Sequence, residues 1–241
     1  YRCFFPPGQV FALGVMYRLF DGSVRAAQML NVVYATLTVL GVWYIARQWF
    51  GQSVARAASL LAAFLPSTIF ACMLIGAEVP EAFWLTAALC FHAAIAKRSH
   101  KAIGAFACGL CLGIGSLIRP TLVLLPLPIG LHMLLTHRNR RGALISACAV
   151  GIGVAATVLP WTYRNYRVTG GFILISSNGG QVLYSANNDD AQGDYTESAT
   201  DYLYRHAPDD LTLQNLGTKL ACRWIRANPR RFLALGVKKF V

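Results

Sequence analysis

Long apolar runs separated by short polar turns make up the first two thirds of the chain. Each run approaches or reaches the roughly 17–25 residues that an α-helix needs to cross a bilayer core. Such a pattern predicts an all-α polytopic membrane protein with about six transmembrane helices, several of them joined by tight hairpins. The predicted spans are Ala26–Ala46, Val54–Leu74, Pro80–Ala96, Ala102–Ile118, Pro120–Thr136 and Ala143–Trp161.

Polar residues become frequent only after the last of these runs. A β-like run is predicted at Phe172–Ser176, and an amphipathic helix is predicted after Asp209-Asp210 from apolar residues at spacings of three and four. Asn228-Pro229 then predicts the start of another helix. We therefore expect residues 1–25 to form a loop with an interfacial helix, residues 26–161 a six-helix transmembrane region, and residues 162–241 a mixed polar segment with amphipathic helices.

Charges predict which side of the membrane each loop faces. The loops after the first, third and fifth runs are basic, whereas the alternate short turns carry both acids of the transmembrane region and one arginine. Because short cytoplasmic loops are enriched in Lys and Arg, the basic side is expected to be cytoplasmic. Residues 1–25 and 162–241 then both face outward. The basic residues are Arg47, Arg56, Lys97, Arg98, Lys101, Arg138, Arg140 and Arg141.

Composition excludes an ordinary water-soluble fold. Hydrophobic residues make up 56% of the chain and charged residues only 13%, whereas soluble domains carry about 25% charged residues. Only two carboxylates occur between Gly22 and Asn188, which is too few to cover a surface of that size. The net charge of +12 is divided between the predicted cytoplasmic turns and the polar tail. We therefore expect membrane lipids as partners and no nucleic acid.

The sequence contains no motif for nucleotide, serine-hydrolase or metal chemistry. Cys108 and Cys111 have CxxC spacing, but they lie in an apolar run without a histidine at ligand spacing, which indicates a membrane helix face. No phosphate-binding loop or Ser/His/Asp grouping occurs. We predict no metal ligands from these residues.

Two acids lie at the predicted outward start of the third transmembrane helix. Glu78 and Glu81 are three residues apart, which places both on one helical face. Carboxylates at membrane depth are costly and indicate a functional site. Alternatively, both acids stabilise the helix N-terminus at the water interface, where the macrodipole favours negative charge. The functional interpretation is preferred for Glu78, and both stay open for Glu81.

Proline and arginine residues form the other candidates. Pro6-Pro7 precede an apolar stretch too short to span a membrane, which indicates an interfacial helix or, alternatively, an aromatic loop anchor. Arg119 either binds a phosphate or carboxylate or extends to the interface. Arg164 lies among aromatic residues after Trp161, which suits an anionic lipid headgroup and a sugar ring, although an aromatic belt alone would explain the aromatics.

Several segments in order resemble a known family. The segments "FFPPGQVFALGVMYRLF", "GAEVPEAFWL", "GSLIRPTLVLLPL", "PWTYRNYRVTGGFILISSNGGQVLYSANN" and "WIRANPRRFLALGVKKF" are similar to bacterial GT-C glycosyltransferases. These are the relatives of the protein mannosyltransferases and aminoarabinose transferases. Each segment is weak evidence by itself, whereas their common order along nearly the whole chain is more specific.

The resemblance implies a glycosyltransferase that uses a polyprenyl-phosphate sugar donor and a glycolipid, lipopolysaccharide or protein acceptor at the periplasmic face of the bacterial inner membrane. No acid precedes Asp21, so the family's principal catalytic aspartate is expected upstream of this chain. Glu78 matches the second acidic position. The residues implied to line the lipid-phosphate and sugar cavity, or to belong to the outward segment that covers it, are Pro6, Pro7, Arg119, Arg164, Asn178, Asn187 and Asn188.

Two other functions stay open at this point. A transporter or flippase for lipid-linked sugars would also need many membrane helices, although we find no convincing internal repeat of the kind common in transporters. A non-catalytic subunit of envelope assembly is the other alternative, because the expected catalytic loop is not in the chain. The resemblance implies no certain cofactor and leaves a divalent metal open.

Overall fold

A computed structural model of the chain describes residues 3–95, 101–136 and 139–238. These residues form α-helices and one 3₁₀ turn, with no strand among them, which confirms the all-α prediction. Lys97, Arg98 and Arg138, which contribute to the predicted cytoplasmic charge, lie outside the described residues. The helices are α1 Pro7–Leu19, α2 Val24–Phe50, α3 Gln52–Ala63, α4 Pro66–Met73, α5 Glu78–Ile95, α6 Lys101–Ile118, α7 Pro126–Thr136, α8 Arg140–Thr169, α9 Asn178–Ser185, α10 Glu197–His206, α11 Asp210–Ala227 and α12 Pro229–Lys238, with the 3₁₀ turn at Pro120–Leu124.

The helices are grouped into two compact units. The first unit lies within Pro6–Pro160, and the second consists of residues 3–5 together with residues 161–238. Helix α8 continues past the predicted end of the last span at Trp161 as far as Thr169, with Pro160 inside it. Each unit has its own interior and is described separately below.

Helices α2 and α8, with 27 and 30 residues, are long and apolar enough to cross a membrane. The predicted span Val54–Leu74 is two helices, α3 and α4, bent by 44°. The bend follows from Pro66, which begins α4 and forces Leu65 into an extended conformation. Among the described residues, two helices, or three if the bent pair counts as one, meet the length and composition of a span. The total of six spans stays a prediction.

Glycines bring α6 and α8 into close contact in the first unit. A Cβ atom at Gly109 would meet the Val150 carbonyl oxygen, and one at Gly153 would meet the Phe106 carbonyl oxygen. Small residues let membrane helices approach backbone to backbone, where dispersion contacts replace the hydrophobic drive that lipid does not provide. Cys108 of the CxxC pair is fully buried on α6 as a free thiol.

Three amide side chains hold the connection between α4 and α5. The Gln28 Nε2 donates to the Met73 carbonyl at 2.8 Å, and the Asn31 Nδ2 donates to the Leu74 carbonyl at 2.8 Å. From α1, the Gln9 Nε2 donates to the Gly76 carbonyl at 3.1 Å. These carbonyls follow the end of a helix, where no intrahelical donor is left for them. We call this set of hydrogen bonds the amide clasp, and it fixes the point at which α5 begins.

In the second unit, side chains of α8 bind the predicted β-like run Phe172–Ser176. The Asn165 Nδ2 donates to the Ile173 and Ile175 carbonyls, both at 3.1 Å, and the Thr162 Oγ1 donates to the Leu174 carbonyl at 2.7 Å. The β-strand prediction is wrong because these side chains, and not a neighbouring strand, take up the backbone acceptors.

Helix α11 begins as predicted, with Asp209 at its N-cap. The Asp209 carboxylate accepts from the Thr212 backbone N–H at 2.7 Å, and these hydrogen bonds hold the pKa of the carboxyl below its usual range. The apolar face, which includes Leu213 and Ala221, is fully buried inside the second unit. This face of the predicted amphipathic helix is therefore covered by protein, and only its opposite, basic face can meet lipid headgroups.

The glycine contact predicts that Gly153→Ala destabilises the first unit. The added methyl overlaps the Phe106 carbonyl, and overpacking of this kind costs about 1–3 kcal/mol. Thermal unfolding in detergent, followed by circular dichroism, should show a lower midpoint. Gly151→Ala is the matched control on α8, since a Cβ there meets nothing within 4 Å. Equal midpoints for the two variants would contradict this packing.

The amide of Asn165 should be essential to the loop that follows α8. Asn165→Leu removes the side-chain donor of the Ile173 carbonyl, and it leaves the Ile175 carbonyl with the Trp161 Nε1 alone. A buried unpaired group costs about 1–3 kcal/mol. Limited proteolysis should then cut residues 170–177 faster than in the parent protein. Tyr166→Leu, at the neighbouring exposed position, should leave the rate unchanged. A loop equally resistant in both variants would show that the Asn165 bonds do not hold it.

Candidate active site

Two carboxylates occupy the first turn of α5, directly after the amide clasp. Glu78 is the first residue of the helix, and Glu81 lies three residues later. The helix macrodipole favours negative charge at this end, which agrees with the helix-capping interpretation, whereas the functional interpretation stays a prediction. The Glu78 side chain turns back over the α4–α5 connection, where its Oε2 lies against Gly76. A side chain at Gly76 would collide with this carboxylate.

Arg119 reaches both carboxylates from the end of α6. The residue has extended backbone, φ −136° and ψ 110°, because Pro120 excludes the helical conformation for the residue before it. Its Nη2 lies 2.9 Å from the Glu78 Oε1, and its Nη1 lies 3.2 Å from the Glu81 Oε2. The proline that ends α6 thus turns the guanidinium toward the start of α5.

The three side chains form a small charged cluster, which we call the acid–arginine cluster. Two carboxylates and one guanidinium leave one net negative charge. The Glu78 side chain is 59% exposed and the Glu81 side chain only 20%. A guanidinium carries five N–H donors, so Arg119 keeps donors for a ligand after binding both acids. The cluster therefore offers an accessible carboxylate and a partly free guanidinium side by side.

The beginning of α1 lies beside this cluster. Pro6 is the N-cap of α1 and Pro7 is its first residue, which is buried. A Cβ at Gly8 would meet the Ile118 side chain and the backbone of Leu117, the two residues before Arg119. Through Gln9, the same turn of α1 also bonds the connection that precedes Glu78. Three distant parts of the sequence therefore meet at one end of the first unit.

Arg164 belongs to the second unit, where it lies in the last turns of α8. Its Nη1 donates to the Cys3 Sγ at 3.2 Å and to the Asn165 Oδ1 at 3.3 Å. The guanidinium also lies over the Trp161 ring, 4.7 Å from its centroid. A cation held against an aromatic face is a common arrangement for Arg, and here it orients the side chain before any ligand binds.

The three predicted asparagines make local hydrogen bonds in the second unit. The Asn187 Nδ2 donates to the Leu183 carbonyl at 2.8 Å, and the Asn188 Nδ2 donates to the Tyr184 carbonyl at 2.9 Å. Both side chains are buried and bind carbonyls at the end of α9. Asn178, the first residue of α9, accepts from the Ser176 Oγ at 2.8 Å. In this structure all three stabilise the ends of α9.

Gln9 and Asn31 position the site, but the sequence analysis did not single them out. A signal was present, because a buried amide in an apolar membrane helix is costly unless it is bonded. Their exposed fractions are 9% and 1%. Among the described residues, no three His, Cys, Asp or Glu side chains come together as metal ligands.

Comparison with known proteins assigns the family. The model described as dolichyl-phosphate-mannose-protein mannosyltransferase matches residues 5–163. Searches of the curated proteins and of the solved structures gave no match. The matched range covers more than half of the chain and includes α1, the amide clasp and the acid–arginine cluster. The chain therefore belongs to the dolichyl-phosphate-mannose-protein mannosyltransferase family and is a membrane glycosyltransferase of the GT-C type.

Proposed function

We propose that this protein transfers a sugar from a polyprenyl-phosphate donor to a cell-envelope acceptor at the periplasmic face of the bacterial inner membrane. The acceptor is a glycolipid, lipopolysaccharide or protein. The family supports the class of reaction, since the name of its model contains a lipid-phosphate-linked mannose and a protein acceptor. A polyprenyl donor stays in the bilayer, so its enzyme must present a site at the membrane surface.

The acid–arginine cluster is the observation that carries this proposal. It lies at the end of the helices that the charge pattern assigns to the outward side, opposite the basic turns. Glu78 is exposed and Arg119 retains donors, so a hydroxyl and a phosphate can approach the same cluster. A transporter has no evident need for such a pair at the surface, which favours transfer over flipping.

The proposed reaction moves the sugar between two oxygens. The bond between the anomeric carbon and the donor phosphate oxygen breaks, and the phosphate leaves with that electron pair. The acceptor hydroxyl forms the new bond to the anomeric carbon and gives up its proton to a carboxylate. General base catalysis of this kind contributes about 10²–10⁴-fold. Glu78 either takes this proton or positions the acceptor for a carboxylate from another part of the protein.

The arginines, prolines and asparagines predicted from the sequence would have supporting roles. The free N–H groups of Arg119 would hold the phosphate as its charge develops, since hydrogen bonds to a charged phosphate are about twice as strong as neutral ones. Pro6 and Pro7 would form the wall beside the cluster. Arg164, which belongs to the second unit, would bind a phosphate or a sugar. Asn178, Asn187 and Asn188 would act by shaping the outward segment. The proposal leaves open whether the reaction uses a divalent metal as a cofactor.

Removing the Glu78 carboxylate should lower transfer sharply. Glu78→Gln keeps the size but loses the base and the charge, and Arg119→Ala loses the phosphate donors, so each should reduce the rate by about 10²-fold. The measurement is the movement of label from a radiolabelled polyprenyl-phosphate sugar into envelope extract by the full-length protein in liposomes. Arg56→Ala, an exposed arginine on α3 in a predicted cytoplasmic turn, is the control and should transfer normally.

The same liposomes test the competing functions. Label in an acceptor establishes the transferase, whereas donor that crosses the bilayer with its sugar bond intact would establish a flippase. If the full-length protein neither transfers label nor moves the donor across the bilayer, the non-catalytic subunit is favoured. If transfer occurs and both variants match the parent in rate and membrane abundance, Glu78 and Arg119 do not belong to the active site.

A further inference from the structure

A pocket lined by cations lies on the surface of the second unit, along α11. Its volume is about 640 Å³, which falls in the range of roughly 300–1,000 Å³ that is usual for ligand pockets. Phe172, from the loop after α8, is the one lining residue that does not belong to α11. No acid lines the pocket, whereas three cations of α11 do: Lys219, Arg223 and Arg226. We call this site the basic pocket.

The basic pocket is part of the folded unit, because the loop that carries Phe172 is fixed on both of its sides. A Cβ atom at Gly171 would meet the Leu211 side chain, so the loop lies directly against the first turn of α11. On the other side, Asn165 and Thr162 bind the carbonyls that follow Phe172. The phenyl ring is nevertheless 71% exposed. The loop therefore presents an aromatic ring beside the cations of α11.

The stability of α11 does not explain its cations. Lys219, Arg223 and Arg226 follow one another at spacings of four and three residues, which places them on one face, where like charges destabilise a helix. The ion pairs among the described residues are those of Arg119, so no described carboxylate pairs with these cations. The helix macrodipole favours only Arg226, which lies in the last turn. An anionic ligand explains the charge of the pocket better.

The spacing of the cations favours a ligand with several anionic groups. Lys219 and Arg226 are seven residues apart in α11, or about 10 Å along the helix axis at about 1.5 Å per residue. One phosphate or one carboxylate cannot contact both ends of such a row at once. A chain that carries anionic groups at intervals can contact all three cations.

The uncharged groups of the basic pocket suit a ligand that is rich in hydroxyls. Gln214 and Asn215 line it with side-chain amides, which both donate and accept hydrogen bonds. The Gln214 Oε1 accepts from the Gly180 N–H at 2.8 Å, which orients this amide before any ligand binds. The face of the Phe172 ring carries partial negative charge, which attracts the C–H groups of a sugar ring. Cations, amides and an exposed ring together fit an acidic sugar.

A membrane surface fits the basic pocket less well. Interfacial helices bind a bilayer by burying their apolar face at the boundary between headgroups and acyl chains. The apolar face of α11, which includes Leu213 and Ala221, is covered by protein and cannot insert. The side of the helix that is left for a partner is polar and concave, so it suits a ligand that enters from water.

We propose that the basic pocket binds an acidic oligosaccharide, which is a chain of sugars that carries carboxylates or phosphates. Lys219, Arg223 and Arg226 bind the anionic groups, Phe172 packs against a sugar ring, and the two amides bind hydroxyls. The pocket belongs to the second unit, whereas the acid–arginine cluster belongs to the first. The inference goes beyond the proposed transfer reaction and does not depend on it, because binding needs no donor.

Binding to the full-length protein in phosphatidylcholine nanodiscs tests the class of ligand. The probe is a β-linked tetramer of mannuronate, and the mannose tetramer of the same linkage is the matched neutral sugar. Isothermal titration calorimetry should give at least about ten-fold tighter binding of the acidic tetramer, since charged hydrogen bonds are the stronger ones. Cys222 lines the pocket and reports the location of binding. The acidic tetramer should slow its modification by N-ethylmaleimide, and the neutral one should not.

Single substitutions test the residues of the basic pocket. Lys219→Gln and Arg223→Gln should each raise the Kd of the mannuronate tetramer about ten-fold, because each removes a hydrogen bond between charged groups. Phe172→Ala should raise it about three-fold through the loss of the ring face. Arg230→Gln is the matched control, since it removes an exposed cation of α12 that does not line the pocket. This variant should keep the Kd of the parent protein.

Three results would overturn the inference. Equal Kd values for Lys219→Gln, Arg223→Gln and Arg230→Gln would show that the acidic tetramer binds elsewhere. Equally tight binding of tetraglutamate, which carries carboxylates but no sugar ring, would show that the pocket recognises an acidic peptide as well as a sugar. Protection of Cys222 by phosphatidylglycerol in the nanodisc, without any sugar, would assign the pocket to lipid headgroups.

Discussion

The first unit depends on satisfying the backbone carbonyls at the end of α4. In a bilayer no water replaces a missing donor, so each unpaired carbonyl costs several kcal/mol. Three amides provide these donors: Gln28 and Asn31 from α2, and Gln9 from α1. The α4–α5 connection can therefore leave helical conformation without unpaired carbonyls at these three positions. Pro66 sets the bend before α4, and the clasp defines the position of Glu78 after it.

The clasp has consequences on both of its sides. Before it, Gln28 holds the end of α4 against α2 while the bend sets α4 at an angle to α3, which opens an apolar groove along α2. After it, α5 begins with a carboxylate that points back toward Gly76. The same connection thus separates an apolar groove from a charged cluster by a few residues. The proposed lipid-linked donor would need that combination, since its chain and its reacting head require different surroundings.

The sequence predicts the apolar helices well because a bilayer fixes both their length and their composition. Helices α2, α5 and α6 fall within a few residues of the predicted spans. The predictions weaken where a single side chain decides the backbone. Pro66 splits one apparent span into two helices, and Asn165 binds the carbonyls of an apparent strand. Both residues can be read from the sequence. Their effect on the backbone cannot, because it depends on which groups lie next to them in the folded chain.

The candidate site shows the same division between local and distant information. Glu78 can be singled out because an acid in an apolar region demands an explanation. Its pairing with Arg119 spans 41 residues and depends on how α5 and α6 pack, which no local pattern records. The pairing also changes the chemistry expected of Arg119. An exposed ion pair contributes little to stability, about 0–1 kcal/mol, so the cluster is poorly explained as a support for the fold. Its charge and accessibility are better explained by a ligand that uses both groups.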